Sequence, residues 1–290
     1  MEGYEGIVTV LKPPGMTSNN AVYDVRRLFG VKRVGHLGTL DPGAAGVLPV
    51  CVGRAARLFD YLVDKEKTYI AEIAFGIATD TQDSYGKVTE TDPNCRVTRE
   101  MLEDVLPKFV GRQKQTAPAY SALKVDGRKM YDLARAGEAV PEKIREITIH
   151  GLRLMEQTGD NRYLIEVRCS RGTYIRTLAF DIGAALGVPA YLAFLLRTAS
   201  GSFTLDTAYS VQELEQRRES GTLSETLMPC EEALKAYPAV SLPENRRIPT
   251  MNALESVCRA PDGIVRVYAN GFLGLGEVRD NRVRLTVHLY

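Results

Sequence analysis

Residues 67–77 read KTYIAEIAFGI. Tyr69, Ala71, Ile73, Phe75 and Ile77 fall on alternate positions and share one face. A period of two is the mark of a half-buried strand, with one face on a core and the other in solvent. Before it, residues 5–11 (EGIVTVL) read as a strand and residues 47–52 (VLPVCV) as a short buried one. After it come REITIHGLRLMEQ (145–157) and RYLIEVRCS (162–170), two more strands, with Gly151 a bulge site.

Helical spacing lies between these strands. NNAVYDVRRLF (19–29) has apolar residues at 21, 22, 25, 28 and 29, and Thr17 or Ser18 can cap its start. Residues 53–63 read as a short helix. TREMLEDVLPKF (98–109) is amphipathic behind Thr98. RGTYIRTLAFDIGAALG (171–187) turns into a helix that Gly187 can close. Pro189 then suits the first turn of a further helix over AYLAFLL (190–196). Ser210 and Glu213 stand at capping-box spacing. Strands and helices do not alternate regularly, which favours α+β with a mixed, largely antiparallel sheet. From residue 238 the character changes. PAVSLPENRRIPT (238–250) reads as a linker, and short strands follow around Asn270-Gly271 and Asp280-Asn281, both hairpin signals. The expected domains are 1–237 and a small all-β module, 238–290.

Composition narrows the function classes. The 290 residues are 44% hydrophobic and 25% charged, an ordinary globular balance. Net charge is +1, so nucleic-acid binding has to rest on local patches. Cys51, Cys95, Cys169, Cys230 and Cys258 are scattered and form no C-x-x-C pair, which fits a reducing cytoplasm. No apolar run reaches membrane-spanning length, and the N-terminus lacks a signal-peptide pattern. His36, His150 and His288 have no partner at metal-ligand spacing. There is no Walker motif and no G-x-S-x-G elbow.

Four segments remain. GHLGTLDPGAAGVL (35–48) carries Asp41-Pro42, an ordinary start to a type I turn. Taken alone, it reads as that turn. Yet Gly35, Gly38, Gly43 and Gly46 allow another molecule close to the backbone, and a lone carboxylate can attack carbon or move a proton if a cation keeps it ionised. CSRGTYIR (169–176) supplies Tyr174 and the permanent cation Arg176, though spacing alone does not join Arg176 to Asp41. Tyr69 by itself reads as a core aromatic. Residues 111–143 are polar and basic, with Arg112, Lys114, Lys124, Arg128, Lys129 and Arg135 among Tyr120 and Tyr131. By composition they form a solvated insertion. The other reading is an RNA-facing loop, in which cations meet phosphates and tyrosines stack on bases.

In order along the chain, LKPPGMTS, GHLGTLDPGAAGVLPVCVGRA, KTYIAEIAFG, ATDTQDSYGKV, QTAPAYSALKVDGRKMYDLARAG and CSRGTYIRTLAFDIG resemble the tRNA pseudouridine synthase B (TruB) family. The resemblance implies an α+β pseudouridine synthase fold with an RNA-gripping insertion and a PUA-like RNA-binding domain at the C-terminus. It implies isomerisation of uridine 55 in the tRNA T loop, without cofactor or metal. It implies Asp41 as the catalytic aspartate, Arg176 as its partner, and Tyr69 as the ring that stacks on uracil and takes part in the later proton transfer. Tyr174 and Leu195 match pocket residues, and His36 the histidine that occupies the T loop when bases flip out. Lys12 and the insertion are expected RNA contacts, and Asp83 a substrate-side residue. The implied partner is the tRNA T arm, with no membrane, guide RNA or protein partner, and a monomeric state. Departures are Ala117, where the family has a second proline before Pro118, and Ala45 and Ala56, where threonine is common. A tRNA-binding folding chaperone with secondary catalysis is the alternative. The intact set Asp41, Tyr69 and Arg176 favours the enzyme.

Overall fold

A computed structural model describes residues 3–63, 66–121, 123–125 and 127–290. The main strands of the larger sheet are β1 (Gly6–Lys12), β2 (Ala45–Val52), β3 (Lys67–Phe75), β4 (Gly111–Thr116), β5 (Ile144–Gly159), β6 (Arg162–Cys169) and β7 (Ala190–Ser200). With three short strands they make a ten-stranded sheet in the order Ala208–Tyr209, β1, β2, β7, β3, β6, β5, β4. Two junctions are parallel, β1 with Ala208–Tyr209 and β7 with β2, and the other junctions along this path are antiparallel. The mixed, largely antiparallel expectation therefore holds.

The opening segment follows its period over 67–73; the strand ends at Phe75, where Ala74 is buried too, and Ile77 belongs to a separate hairpin. In β3 the side chains of Lys67, Tyr69, Ala71 and Ile73 are buried, while Thr68, Ile70 and Glu72 are half-buried. The buried set joins a core with Val8 and Val10 of β1, Ile147 and Ile149 of β5, and Ile165 and Val167 of β6. Each such aliphatic side chain withdrawn from water is worth roughly 1.5–3 kcal/mol. Three helices cover this core: α1 (Ser18–Phe29), α2 (Arg99–Val105) and α3 (Ile175–Leu186). In α1 the Thr17 side chain accepts from the Asn20 amide, which satisfies one of the open N–H groups at the helix start. Residues 21, 22, 25, 28 and 29 are its buried apolar face, the set that spacing picked out. Gly187 ends α3 in the left-handed conformation, φ 72°. A fourth helix, α4 (Val211–Glu219), opens with the expected Ser210–Glu213 capping box.

One helix expectation fails. AYLAFLL belongs to β7, a central strand between β2 and β3. A short apolar run carries no period that separates a buried strand from a helix, and Pro189 precedes either equally well. Register shifts in β7, between Leu192 and Phe194 and between Arg197 and Ala199, further blur its alternation. The expected bulge near Gly151 is present, between Ile149 and Gly151. Residues 53–62 are a 3₁₀ turn running into one α-helical turn.

The insertion is not simply solvated. Its first six residues are β4, the edge strand of the large sheet, and Ala117, Ser121, Met130 and Leu133 are buried. The side chains of Lys124, Lys129 and Arg135 lie outside the described residues.

At the C-terminus, β8 (Gly263–Tyr268), β9 (Phe272–Arg279) and β10 (Arg282–His288) form a five-stranded sheet with Ala239–Ser241 and Ser256–Val257. Asn270, Gly271, Asp280 and Asn281 all have positive φ, as tight hairpins with right-twisting strands require. The expected linker is part of this unit: Ala239–Ser241 pairs in parallel with β8, and Val240 and Leu242 are buried in its core. The small sheet also packs on the rest of the chain. Leu275, Val287 and Leu289 share a cluster with Ile7, Leu37, Val47 and Leu58. Arg57 Nη1 donates to the His288 carbonyl at 2.7 Å.

Candidate active site

The loop between the short strand Val34–His36 and β2 is fastened by hydrogen bonds from several sides. The Asp41 carbonyl accepts from the Ala44 amide at 3.0 Å, closing the Asp-Pro turn. Buried Ser18 both donates to the Leu40 carbonyl and accepts from the Leu40 amide, each at 2.9 Å. The Pro42 carbonyl accepts from the Gly15 amide at 2.8 Å and from Lys12 Nζ at 3.2 Å. Arg197, fully buried in β7, donates to the Gly38 carbonyl at 3.1 Å and to the Val47 carbonyl at 2.7 Å. The glycines have internal uses. Gly46 adopts φ 111°, and a side chain there would strike the Arg197 backbone. Gly43 leaves room for the Tyr85 ring.

These fastenings present Asp41 at the mouth of a cavity of about 700 Å³. Its side chain is 43% exposed, and its Oδ2 lies 2.9 Å from Arg176 Nε. Arg176, in the first turn of α3, is only 4% exposed. Its Nη1 donates to the Thr81 carbonyl at 3.0 Å and its Nη2 to the Tyr120 carbonyl at 2.9 Å. Nη1 also stands 3.7 Å from Asp83 Oδ2. The Nε–H has no hydrogen-bond acceptor in line, so the Asp41 contact is an ion pair and not an aligned hydrogen bond. The guanidinium is thus locked by two carbonyls from separate loops and holds its charge beside two carboxylates. Upstream of it, Gln115 of β4 clamps residue 174, donating to its carbonyl at 3.0 Å and accepting from its amide at 2.8 Å.

Five of the residues assigned by resemblance meet at this cavity: His36, Asp41, Asp83, Arg176 and Leu195 all line it. Burial and the Arg197 charge lower the His36 pKa, so its imidazole is neutral at pH 7. His36 Nδ1 is a buried polar atom without a hydrogen-bond partner among the described residues.

Three others are placed elsewhere. Tyr69 is 7% exposed and is not part of the cavity lining. It lies opposite Arg197 across the β3–β7 pair. Burial raises its pKa, against the opposing pull of Arg197, so the resting side chain is a neutral phenol and not a phenolate base. Tyr174 is the N-cap residue of α3 and also stands outside the lining. Lys12 is 0% exposed, and its ammonium donates to the carbonyls of Pro13, Met16 and Pro42. An RNA phosphate contact does not fit that position; Lys12 underpins the loop instead. Burial lowers its pKa to about 8, with Asp41 opposing the shift and Arg197 adding to it.

Sequence reasoning missed Ser18, Gln115 and Arg197. By sequence Ser18 reads only as a cap. For Gln115 and Arg197 nothing local gives the role away, since their partners are backbone groups about 60 to 160 residues away in sequence. All five cysteines are free and buried. Among the described residues no cluster of His, Cys, Asp and Glu is grouped for a metal, and no helix is long and apolar enough to cross a membrane.

A locked arginine beside a presented carboxylate, at the mouth of an open cavity on a mixed sheet, is an arrangement for chemistry on a polar substrate. The comparisons give its class. Residues 26–175 match the family model described as TruB family pseudouridylate synthase, N-terminal domain. Residues 176–235 match the tRNA pseudouridylate synthase B C-terminal domain. A tRNA pseudouridine synthase B of Caldanaerobacter subterraneus is 39% identical over 97% of this chain and 97% of its own length. That of Bacillus subtilis is 46% identical over 80% of this chain and 77% of its own. The fold is shared with a chain in a structure of an H/ACA ribonucleoprotein bound to a substrate RNA containing 2′-deoxyuridine. There the TM-score is 0.71 at 23% identity, covering 94% of this chain and 77% of that one. The chain belongs to the TruB family of pseudouridylate synthases, enzymes that isomerise uridine to pseudouridine.

Proposed function

We propose that this enzyme converts uridine 55 in the T loop of tRNA to pseudouridine, with Asp41 as the catalytic carboxylate. One observation carries the reading: Asp41 stands at the cavity mouth with its Oδ2 2.9 Å from the buried Arg176. The reaction breaks the bond from ribose C1′ to uracil N1 and forms one from C1′ to C5. C5 gives up its proton and N1 gains one, so product and substrate are isomers. No oxidant or reductant enters. Asp41 either attacks C1′ or removes a ribose proton, and on both routes the buried Arg176 guanidinium stands 2.9 Å from the reacting carboxylate.

Extruding the uridine from a stacked loop costs a few kcal/mol, which contacts in the pocket offset. Leu195 supplies an apolar wall, neutral His36 a polar one, and Asp83 holds the far side of the Arg176 guanidinium. Tyr69, buried and neutral, stands opposite Arg197 and outside the cavity lining. Tyr174 shapes the entry to α3.

We further assign 1–237 to the catalytic domain and 238–290 to a PUA-like RNA-binding domain. The five-stranded sheet, which begins at Ala239, supports that boundary. The partner is the tRNA T arm, bound by a monomer in the cytoplasm without guide RNA. The basic edge strand β4, with Arg112 and Lys114, supports direct RNA contact. A chaperone that only binds RNA has no use for the Asp41–Arg176 pair.

Tritium release from T-arm RNA labelled at uridine C5 tests the reading. Asp41→Asn keeps RNA binding and loses release. A wild-type chain that releases no tritium from such RNA would overturn it.

A further inference from the structure

The hairpin formed by Ile77–Thr79 and Val88–Thr91 carries its tip, residues 80–87, to the cavity. The tip backbone is well fixed. Asp83 Oδ1 accepts from Thr81 Oγ1 at 2.6 Å and from the Tyr85 amide at 3.0 Å, and the Lys87 amide donates to Asp80 at 2.8 Å. The Tyr85 side chain, however, is 67% exposed. It lines the cavity mouth and makes no ring or cation contact among the described residues.

Its placement against the catalytic turn is specific. A methyl group built on Gly43 would lie 2.1 Å from Cε2 of Tyr85, with Cδ2 and Cζ distinctly farther at 2.9 and 3.0 Å. The ring therefore meets the glycine edge-on, two residues after Asp41, and the tyrosine remains 67% exposed. Gly43 is not in a positive-φ conformation, so what a side chain there would disturb is the space that the ring occupies. The tyrosine is thereby tied to the reacting groups on two sides: through its amide to Asp83, which faces Arg176, and through its ring edge to the Asp41 turn. Phe194, 40% exposed, lines the same cavity.

We propose that Tyr85 is a stacking platform for an unpaired base that flanks the extruded uridine. The inference rests on the T-loop reading above. Pulling one nucleotide out of a stacked loop strips its neighbours of a stacking partner, and an exposed aromatic ring beside the cavity replaces what they lose. Stacking of this kind tolerates any base, because every base offers a π-face, so Tyr85 sets affinity and the path of the chain past Asp41 more than it reads sequence.

The test is a cycle of protein and RNA variants on a T-arm stem-loop. Tyr85→Ala weakens RNA binding by about 5- to 150-fold, the range of one lost base–aromatic stack, and the loss falls on Kd and KM more than on the single-turnover rate. Tyr85→Phe, which keeps the ring, binds like wild type. Replacing the stacked nucleotide by an abasic one weakens wild-type binding and abolishes the difference between wild type and Tyr85→Ala. Wild-type affinity in Tyr85→Ala overturns the proposal. So does a Tyr85→Ala defect that persists unchanged with abasic RNA at every flanking position, which would mean that the ring acts only through the protein. If wild type neither binds nor isomerises the stem-loop, it is the T-loop reading that fails.

Discussion

Replacing Ser18 with alanine removes one oxygen and leaves two backbone groups of Leu40, the residue before Asp41, without partners. Both hydrogen bonds are 2.9 Å long, and Ser18 is 3% exposed, so water cannot replace them in place. An unpaired buried N–H or C=O costs roughly 1–3 kcal/mol. Alanine returns only a few tenths through helix propensity at the start of α1. The net loss is about 1.5–5.5 kcal/mol. For a chain of this size each kcal/mol is worth about 2–4 °C, so the melting temperature falls by roughly 3–20 °C. The catalytic effect is separate. Leu40 then finds its partners by moving, and Asp41 moves with it; a displacement near 1 Å can cost on the order of 100-fold in rate. The assay is single-turnover tritium release at saturating RNA, at a temperature where circular dichroism shows the variant folded. Ser18→Ala loses 10- to 100-fold in rate at nearly unchanged Kd, whereas Ser18→Thr, which keeps the hydroxyl, recovers most of it. A rate within twofold of wild type, with the stability loss present, would show that the bonds hold the fold but do not aim Asp41.

Arg176→Lys puts a single ammonium where a fork spans Asp41 and the carbonyls of Thr81 and Tyr120, so at least one carbonyl loses its donor. We expect the single-turnover rate to fall by about 10²- to 10³-fold with RNA affinity largely kept, read by filter binding beside tritium release. Lys12 gives a pH signature of known sign. Its pKa in the folded chain, about 8, lies below the ordinary 10.5. Between these values the unfolded chain binds the proton and the folded one does not, so stability gains from this group as pH rises through the window. Integrated, the gain is ~3 kcal/mol, and calorimetry of wild type against Lys12→Met, whose curve lacks this rise, reads it. Over the same pH range Asp41 loses a neighbouring cation, so the rate declines above about pH 8.

The secondary structure was legible where a period or a cap was present. The alternation of 67–73, the apolar face of 19–29, the Ser210 capping box and the Asn-Gly hairpin each state a local preference that the tertiary structure agrees with. It was illegible where burial on both sides removes the period. AYLAFLL reads the same as helix or strand, and only its place between β2 and β3 decides. The proline-punctuated 238–250 failed for a related reason: Ala239–Ser241 has no strand pattern of its own and takes its form from β8.

The candidate site divides in the same way. Sequence by itself determined the candidate groups and the family: an aspartate in a glycine-flanked turn, a permanent cation in GTYIR, and islands in an order that marked the family. Those are properties of residue types and of order along one chain. The tertiary structure alone decided which groups meet. It set Arg176 2.9 Å from Asp41 across 135 positions of sequence, buried Lys12 beneath the loop, and made Ser18 and Arg197 the supports of the Asp41 turn. It also assigned the room at Gly43 to Tyr85. The physical reason is that a carbonyl has no side-chain identity. A residue whose partners are backbone groups far along the chain leaves no pattern in the sequence, and its role appears only when the fold brings those carbonyls to it.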